Sequence, residues 1–159
     1  MENKTNLTPL HCIFYIYQTF AYGSDGKLTE KEKQLITNFM YRWVGQNKEK
    51  MAQIINETLA WSKDNIKTYK EQIGSMVSMV EFLKEQKEFS INRREFFLMD
   101  IRHIARVDGN LSDEEKQWHD MLAKALEMEI RISKDSHQDI QGSLKKVKRK
   151  KIGFRRLKS

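Results

Sequence analysis

Two short stretches hold the residues best spaced for chemistry. Asp25-Gly26-Lys27-Leu28-Thr29-Glu30-Lys31-Glu32-Lys33-Gln34 aligns without gaps on Asp108-Gly109-Asn110-Leu111-Ser112-Asp113-Glu114-Glu115-Lys116-Gln117, at an offset of 83 residues and with six of ten positions identical. Each reads Asp-Gly-x-Leu-[Thr/Ser]-x-x-Glu. In one reading the box is architectural: Gly allows a left-handed turn, Asp bonds loop N–H groups, Leu pins the loop to a core, and Thr or Ser with Glu forms a capping box. In the other, the carboxylates of Asp25, Glu32, Asp108 and Glu115 turn towards one another and form a hard-cation site for calcium or magnesium. A calcium EF-hand does not fit either copy. With Gly26 or Gly109 at loop position 6, positions 1 and 3 become Ala21 and Gly23, or Ile104 and Arg106, and none of these offers a carboxylate.

Other signatures of catalysis are missing from the sequence. It contains no phosphate-binding glycine loop, no Gly-x-Ser-x-Gly elbow and no His-Glu-x-x-His or Glu-x-x-His pair. A metal-dependent hydrolase built on the four box acids is the remaining enzymatic alternative; the leading expectation is a protein without catalytic residues. His103 and Asp100, on the helix entering the second box, are read as a solvated or core-edge pair, with a place in the acidic site as the alternative. Cys12 is the only cysteine, so an internal disulfide is excluded, and its apolar neighbours predict a buried thiol. Cysteine usage fits a reducing, cytoplasmic setting.

Elements that can position the boxes are legible from hydrophobic spacing. Thr8-Pro9 starts a first helix, followed by Leu10, Ile13, Phe14, Tyr17, Phe20 and Ala21 at helical intervals. This run has no fully charged residue between Lys4 and Asp25. It imitates a signal peptide, but it is aromatic rather than Leu/Ala-rich and too short to span a bilayer. A second helix starts at Thr29 and stops at Gly45, a third starts at Asn47, and a fourth is predicted from about Asp64. Ser90 to Asn92 marks the next junction, a fifth helix ends at Asp108-Gly109, and Ser112 caps a sixth. A short seventh is predicted around Asp135 to Leu144. No stretch shows a convincing period of two. The helices flanking the boxes match as well: Phe14 with Phe97, Leu35 with Trp118, Phe39 with Leu122 and Trp43 with Leu126. Two copies that each leave an apolar face uncovered imply a pseudo-twofold arrangement rather than a solenoid.

Charge divides the chain. Of 29 basic residues, nine lie between Leu144 and Ser159: Lys145, Lys146, Lys148, Arg149, Lys150, Lys151, Arg155, Arg156 and Lys158. Setting them aside leaves 20 basic residues against 22 acidic ones, a mildly acidic body with a basic tail. The expected organisation is a helical domain over 1–143 and a tail over 144–159, removable without loss of the fold. Such a tail suits nucleic acid, or an assembly rich in it, through counterion release. An anionic membrane surface is the alternative, with Ile152, Phe154 and Leu157 as shallow anchors.

The doubled box after an apolar helix resembles the tellurite-resistance TerB-like family, a domain also found in the membrane co-chaperone DjlA. The matching stretches run from Phe20 through Asp25-Gly26 to Glu32, and from Ile104 through Asp108-Gly109 to Glu115, within a resemblance covering about residues 8 to 130. It implies an all-α, compact bundle of six to seven helices, and roles in stress response and membrane-associated complexes rather than enzymatic ones. It also implies that Asp25, Glu32, Asp108 and Glu115 bind metal. The basic tail is not part of that pattern. The combined expectation is a non-catalytic binding or assembly module attached through its tail. A membrane-associated, metal-binding stress-response protein is the alternative.

Overall fold

The computed structural model describes residues 6–23, 28–107, 109, 111–133 and 147–155. Six helices follow one another: α1 (Pro9–Tyr22), α2 (Glu30–Val44), α3 (Lys48–Asn65), α4 (Tyr69–Lys84), α5 (Ile91–Arg106) and α6 (Asp113–Ala125). Among the described residues the only extended pairing is a single parallel bridge between Leu7 and Phe154. The fold is all-helical, as the spacing predicts. The predicted seventh helix falls outside the described residues.

α1 is the hub. Twelve of its fourteen residues are buried, which is why the segment lacks charge: it packs against α2, α3, α4 and α5 and has no face left for water. The resemblance of this run to a secretion signal therefore has a folding explanation. Cys12 is fully buried in it, and burial pushes its thiol well above the usual range, so it stays protonated. Around α1, Ile36 and Met40 of α2, Met51, Ile54 and Trp61 of α3, and Phe97, Leu98, Ile101 and Ile104 of α5 close the core. Aromatic rings interlock the layers. Tyr17 stacks on Phe97 with centroids 5.6 Å apart, and Phe20 meets Trp118 edge-on at 5.6 Å.

Polar side chains set the helix starts. Thr29, Asn47, Thr68, Ser90 and Ser112 each accept from the backbone N–H three residues on. One boundary differs from the sequence expectation. α3 continues through Asp64 to Asn65, and α4 starts only at Tyr69, because Thr68 caps it while the Lys67 N–H donates to Glu71 at 3.0 Å. At α1, His11 takes the place usually held by Glu: its Nδ1 accepts from the Thr8 N–H at 3.0 Å. A backbone N–H can only donate, so the ring proton sits on Nε2, which faces Glu57 Oε1 at 3.3 Å.

Candidate functional site

The acidic boxes come first. Asp25 and Asp108 lie outside the described residues, whereas Glu32 and Glu115 are both buried. Glu32 Oε1 accepts from the Thr29 N–H at 2.9 Å, and Glu115 Oε1 accepts from the Ser112 N–H at 3.0 Å. Thus one oxygen of each carboxylate closes a capping box. Leu111 is buried and Leu28 packs against the core, the pinning role expected of them. Gly23 ends α1 at φ +52°, and a Cβ there would lie 3.0 Å from Glu115 Oε2, so the Glu of the second box lies beside the C-terminus of α1. Among the described residues no group of three or more His, Cys, Asp or Glu side chains gathers in a way that could hold a metal ion.

Asp100 and His103 do not form a pair. Asp100 is 2% exposed; it accepts from the Tyr17 hydroxyl at 2.6 Å and from the Arg42 guanidinium at 2.5 Å, while Trp43 Nε1 donates to the same hydroxyl at 2.8 Å. Burial, and then the Asp100 charge, push the Tyr17 phenol well above its ordinary value, so it remains a donor. Tyr17 and Asp100 are separated by the same 83 residues as the two boxes. His103 turns outward and stacks on Phe39, and the Arg42 guanidinium lies over the Phe39 ring 4.8 Å from its centroid.

A second buried network was not legible in the sequence. His119 and Asp120 are fully buried neighbours on α6, joined by Nδ1 and Oδ1 at 3.0 Å. Arg102 lies 2.9 Å from His119 Nε2, and because guanidinium only donates, Nε2 accepts and Nδ1 carries the proton. Burial, the largest effect, and the nearby Arg102 charge lower the His119 pKa despite the Asp120 bond. Asp120 also accepts from the Ile132 and Ser133 N–H groups, both at 2.8 Å. Burial pushes its carboxyl up, but His119 and these N–H donors outweigh that and hold it down to about 2. With both ring nitrogens engaged and no solvent access, the pair ties the chain after α6 to the bundle. It has no reachable base or nucleophile.

The basic segment is the third candidate, and here the structure departs most from expectation. Residues 147–155 are not a separate appendage. The Leu7 N–H donates to Gly153 O at 2.9 Å, and the Arg155 N–H donates to Leu7 O at 2.8 Å. Phe154 stacks on Phe82 with centroids 4.3 Å apart, and Val147, Ile152 and Phe154 pack against the core. Two of the predicted polyanion-binding cations pair with carboxylates of α4: Lys150 Nζ lies 2.6 Å from Glu71 Oε2, and the exposed Arg149 places its Nε 3.2 Å from Glu81 Oε1. Hydrogen bonding from Lys150, followed by that from the Lys67 N–H, lowers the Glu71 pKa. Lys148, Lys151 and Arg155 are exposed. Lys145, Lys146, Arg156 and Lys158 lie outside the described residues. Removal after Ser143 therefore strips contacts from Leu7 and α4. The sequence carried a signal for this docking: Ile152-Gly153-Phe154 is apolar within a basic run.

No helix among the described residues is long and apolar enough to cross a membrane. An all-helical bundle in which two capping boxes end on buried glutamates, one of them closing against the exit of the hub helix, belongs to a class of compact helical domains. The family model for tellurite resistance protein TerB matches residues 21–138, and the chain belongs to that family. The match takes in both boxes and helices α2 to α6; most of α1 and the whole segment 147–155 lie outside it. No curated protein and no solved structure matches the chain.

Proposed function

We propose that the chain is a non-catalytic TerB-type helical module that attaches to a polyanionic partner, nucleic acid before anionic lipid, through its C-terminal basic segment. The observation that carries this reading is the anchoring of that segment at Gly153 and Phe154. Leu7 and Phe82 anchor Gly153 and Phe154, and Lys148, Lys151 and Arg155 face solvent around that anchor. Cations tethered beside a seated Gly153-Phe154 anchor lose less conformational freedom on meeting phosphates than cations on a free chain. The acidic boxes serve first as helix caps, in keeping with the Glu32 and Glu115 bonds, and second as a divalent-cation site with Asp25 and Asp108.

The test uses substitution, because truncation would also unseat Phe154. Duplex DNA affinity is measured against salt for the wild type and for Lys148→Ala, Lys151→Ala and Arg155→Ala combined. Loss of three phosphate contacts makes the log–log slope shallower by about 2.7. Anionic vesicles run in parallel identify the alternative partner. Equal slopes for the two proteins on both polyanions refute the reading.

A further inference from the structure

α4 carries a receptor for an extended peptide, and the resident peptide is the chain's own. Its floor is Gly74, where a Cβ would lie 2.2 Å from Lys148 O, so any side chain at this position collides with the segment. The contacts on either side are to backbone as well as side chain. The Lys150 N–H donates to Gly74 O at 3.2 Å, and Ser78 Oγ donates to Lys150 O at 2.7 Å. Glu71 and Glu81 take Lys150 and Arg149, and Phe82 takes Phe154. Between α4 and the segment lies a cleft of about 790 Å³, bordered also by Lys70 and Glu85.

The two halves of this docking differ in strength. Around Phe154 it is apolar and paired to Leu7. Around Arg149 and Lys150 it rests on ion pairs whose side chains are 24–41% exposed, a class that contributes little and weakens with salt. Those are cations that a polyanion would also engage. We propose that residues 148–151 form an ionic latch: Glu71 and Glu81 compete with the polyanion for Lys150 and Arg149, and binding peels this stretch off α4 while Phe154 stays seated. This rests on the polyanion-binding reading above. By linkage, whatever opens the latch tightens polyanion binding, and polyanion opens the latch.

Gly74→Ala tests it without altering charge, and Ala is the better helix former, so the substitution itself favours α4. Freed of two half-exposed ion pairs, this variant binds duplex DNA roughly tenfold more tightly than the wild type at low salt. Glu71→Gln with Glu81→Gln does the same, and exceeds the gain from Glu49→Gln with Glu95→Gln, which makes an equal change of net charge at exposed sites on α3 and α5. In the wild type, saturating DNA raises the hydrogen-exchange rate of the Lys150 amide while that of Leu7 stays slow. A Lys150 amide that remains protected at saturation overturns the latch, as does equal affinity of Gly74→Ala and wild type. If no variant and no wild type binds DNA or anionic vesicles, the attachment reading fails and the latch with it.

Discussion

Asp100 is the most informative residue to perturb, since it joins two helices that the chain brings together across 83 residues. Its carboxylate is buried and accepts from the Tyr17 hydroxyl and the Arg42 guanidinium. Asp100→Ala removes both acceptors. Tyr17 is fully buried and cannot turn to water, so its hydroxyl hydrogen loses this acceptor, a cost of about 2 kcal/mol for a bond to a charged group. Arg42 is 49% exposed and regains solvent, which limits its share to about 1 kcal/mol. The sum, about 3 kcal/mol, corresponds to a fall in melting temperature of roughly 6–12 °C for a chain of this length. Tyr17→Phe breaks the same bond from the other side. It leaves Arg42 on the carboxylate and costs about 2 kcal/mol. Because both single changes destroy one shared bond, the double variant costs less than their sum by about 1–2 kcal/mol. Urea unfolding followed by circular dichroism measures all four corners of the cycle; the midpoint should move while the slope stays constant. An Asp100→Ala variant within about 0.5 kcal/mol of wild type would falsify the account, as would an additive cycle, which would mean that the bond does not couple α1 to α5.

Two further outcomes concern acid and the boxes. His11 and His119 have pKa values lowered by burial from 6.5, so the unfolded chain takes up protons first: stability is full above about pH 6.5 and declines as pH falls below it. Asp120, held at about 2 against 3.8, adds roughly 2 kcal/mol that is present above pH 3.8 and lost towards pH 2; urea midpoints at pH 7.5, 5 and 3 that do not fall in that order contradict both assignments. Thr29→Ala and Ser112→Ala each cost about 1 kcal/mol through loss of a cap. If calcium or magnesium raises the melting temperature and Asp25→Asn with Asp108→Asn abolishes the rise, the cation-site reading of the boxes replaces the capping one.

Helix starts were readable because they are local. Thr29, Asn47, Ser90 and Ser112 cap the helices that the spacing predicts, using side-chain bonds that reach only three residues. The miss at Asp64 has the same origin. Asp is a plausible cap, but Thr68 lies four residues on, and its bond to the Glu71 N–H at 3.1 Å set the boundary there. The buried networks could not be read in this way. Nothing local distinguishes Asp100, which is buried against Tyr17, from Asp113, which is exposed at the start of α6.

By itself the sequence determined the all-helical class, the cap residues, the uncharged hub helix and the TerB-type boxes. These follow from periodicity and from hydrogen bonds spanning one turn, which need no knowledge of what lies across the fold. Only the tertiary structure decided which charges are withheld from water. Asp100 meets Arg42, His119 meets Arg102, and the basic segment lies along α4 instead of standing apart. Counting cations made residues 144–159 look like an independent tail, because net charge ignores where carboxylates and rings sit. Glu71, Glu81, Phe82 and the bare backbone at Gly74 lie more than sixty residues upstream of the segment they hold, and only folding places them beneath it.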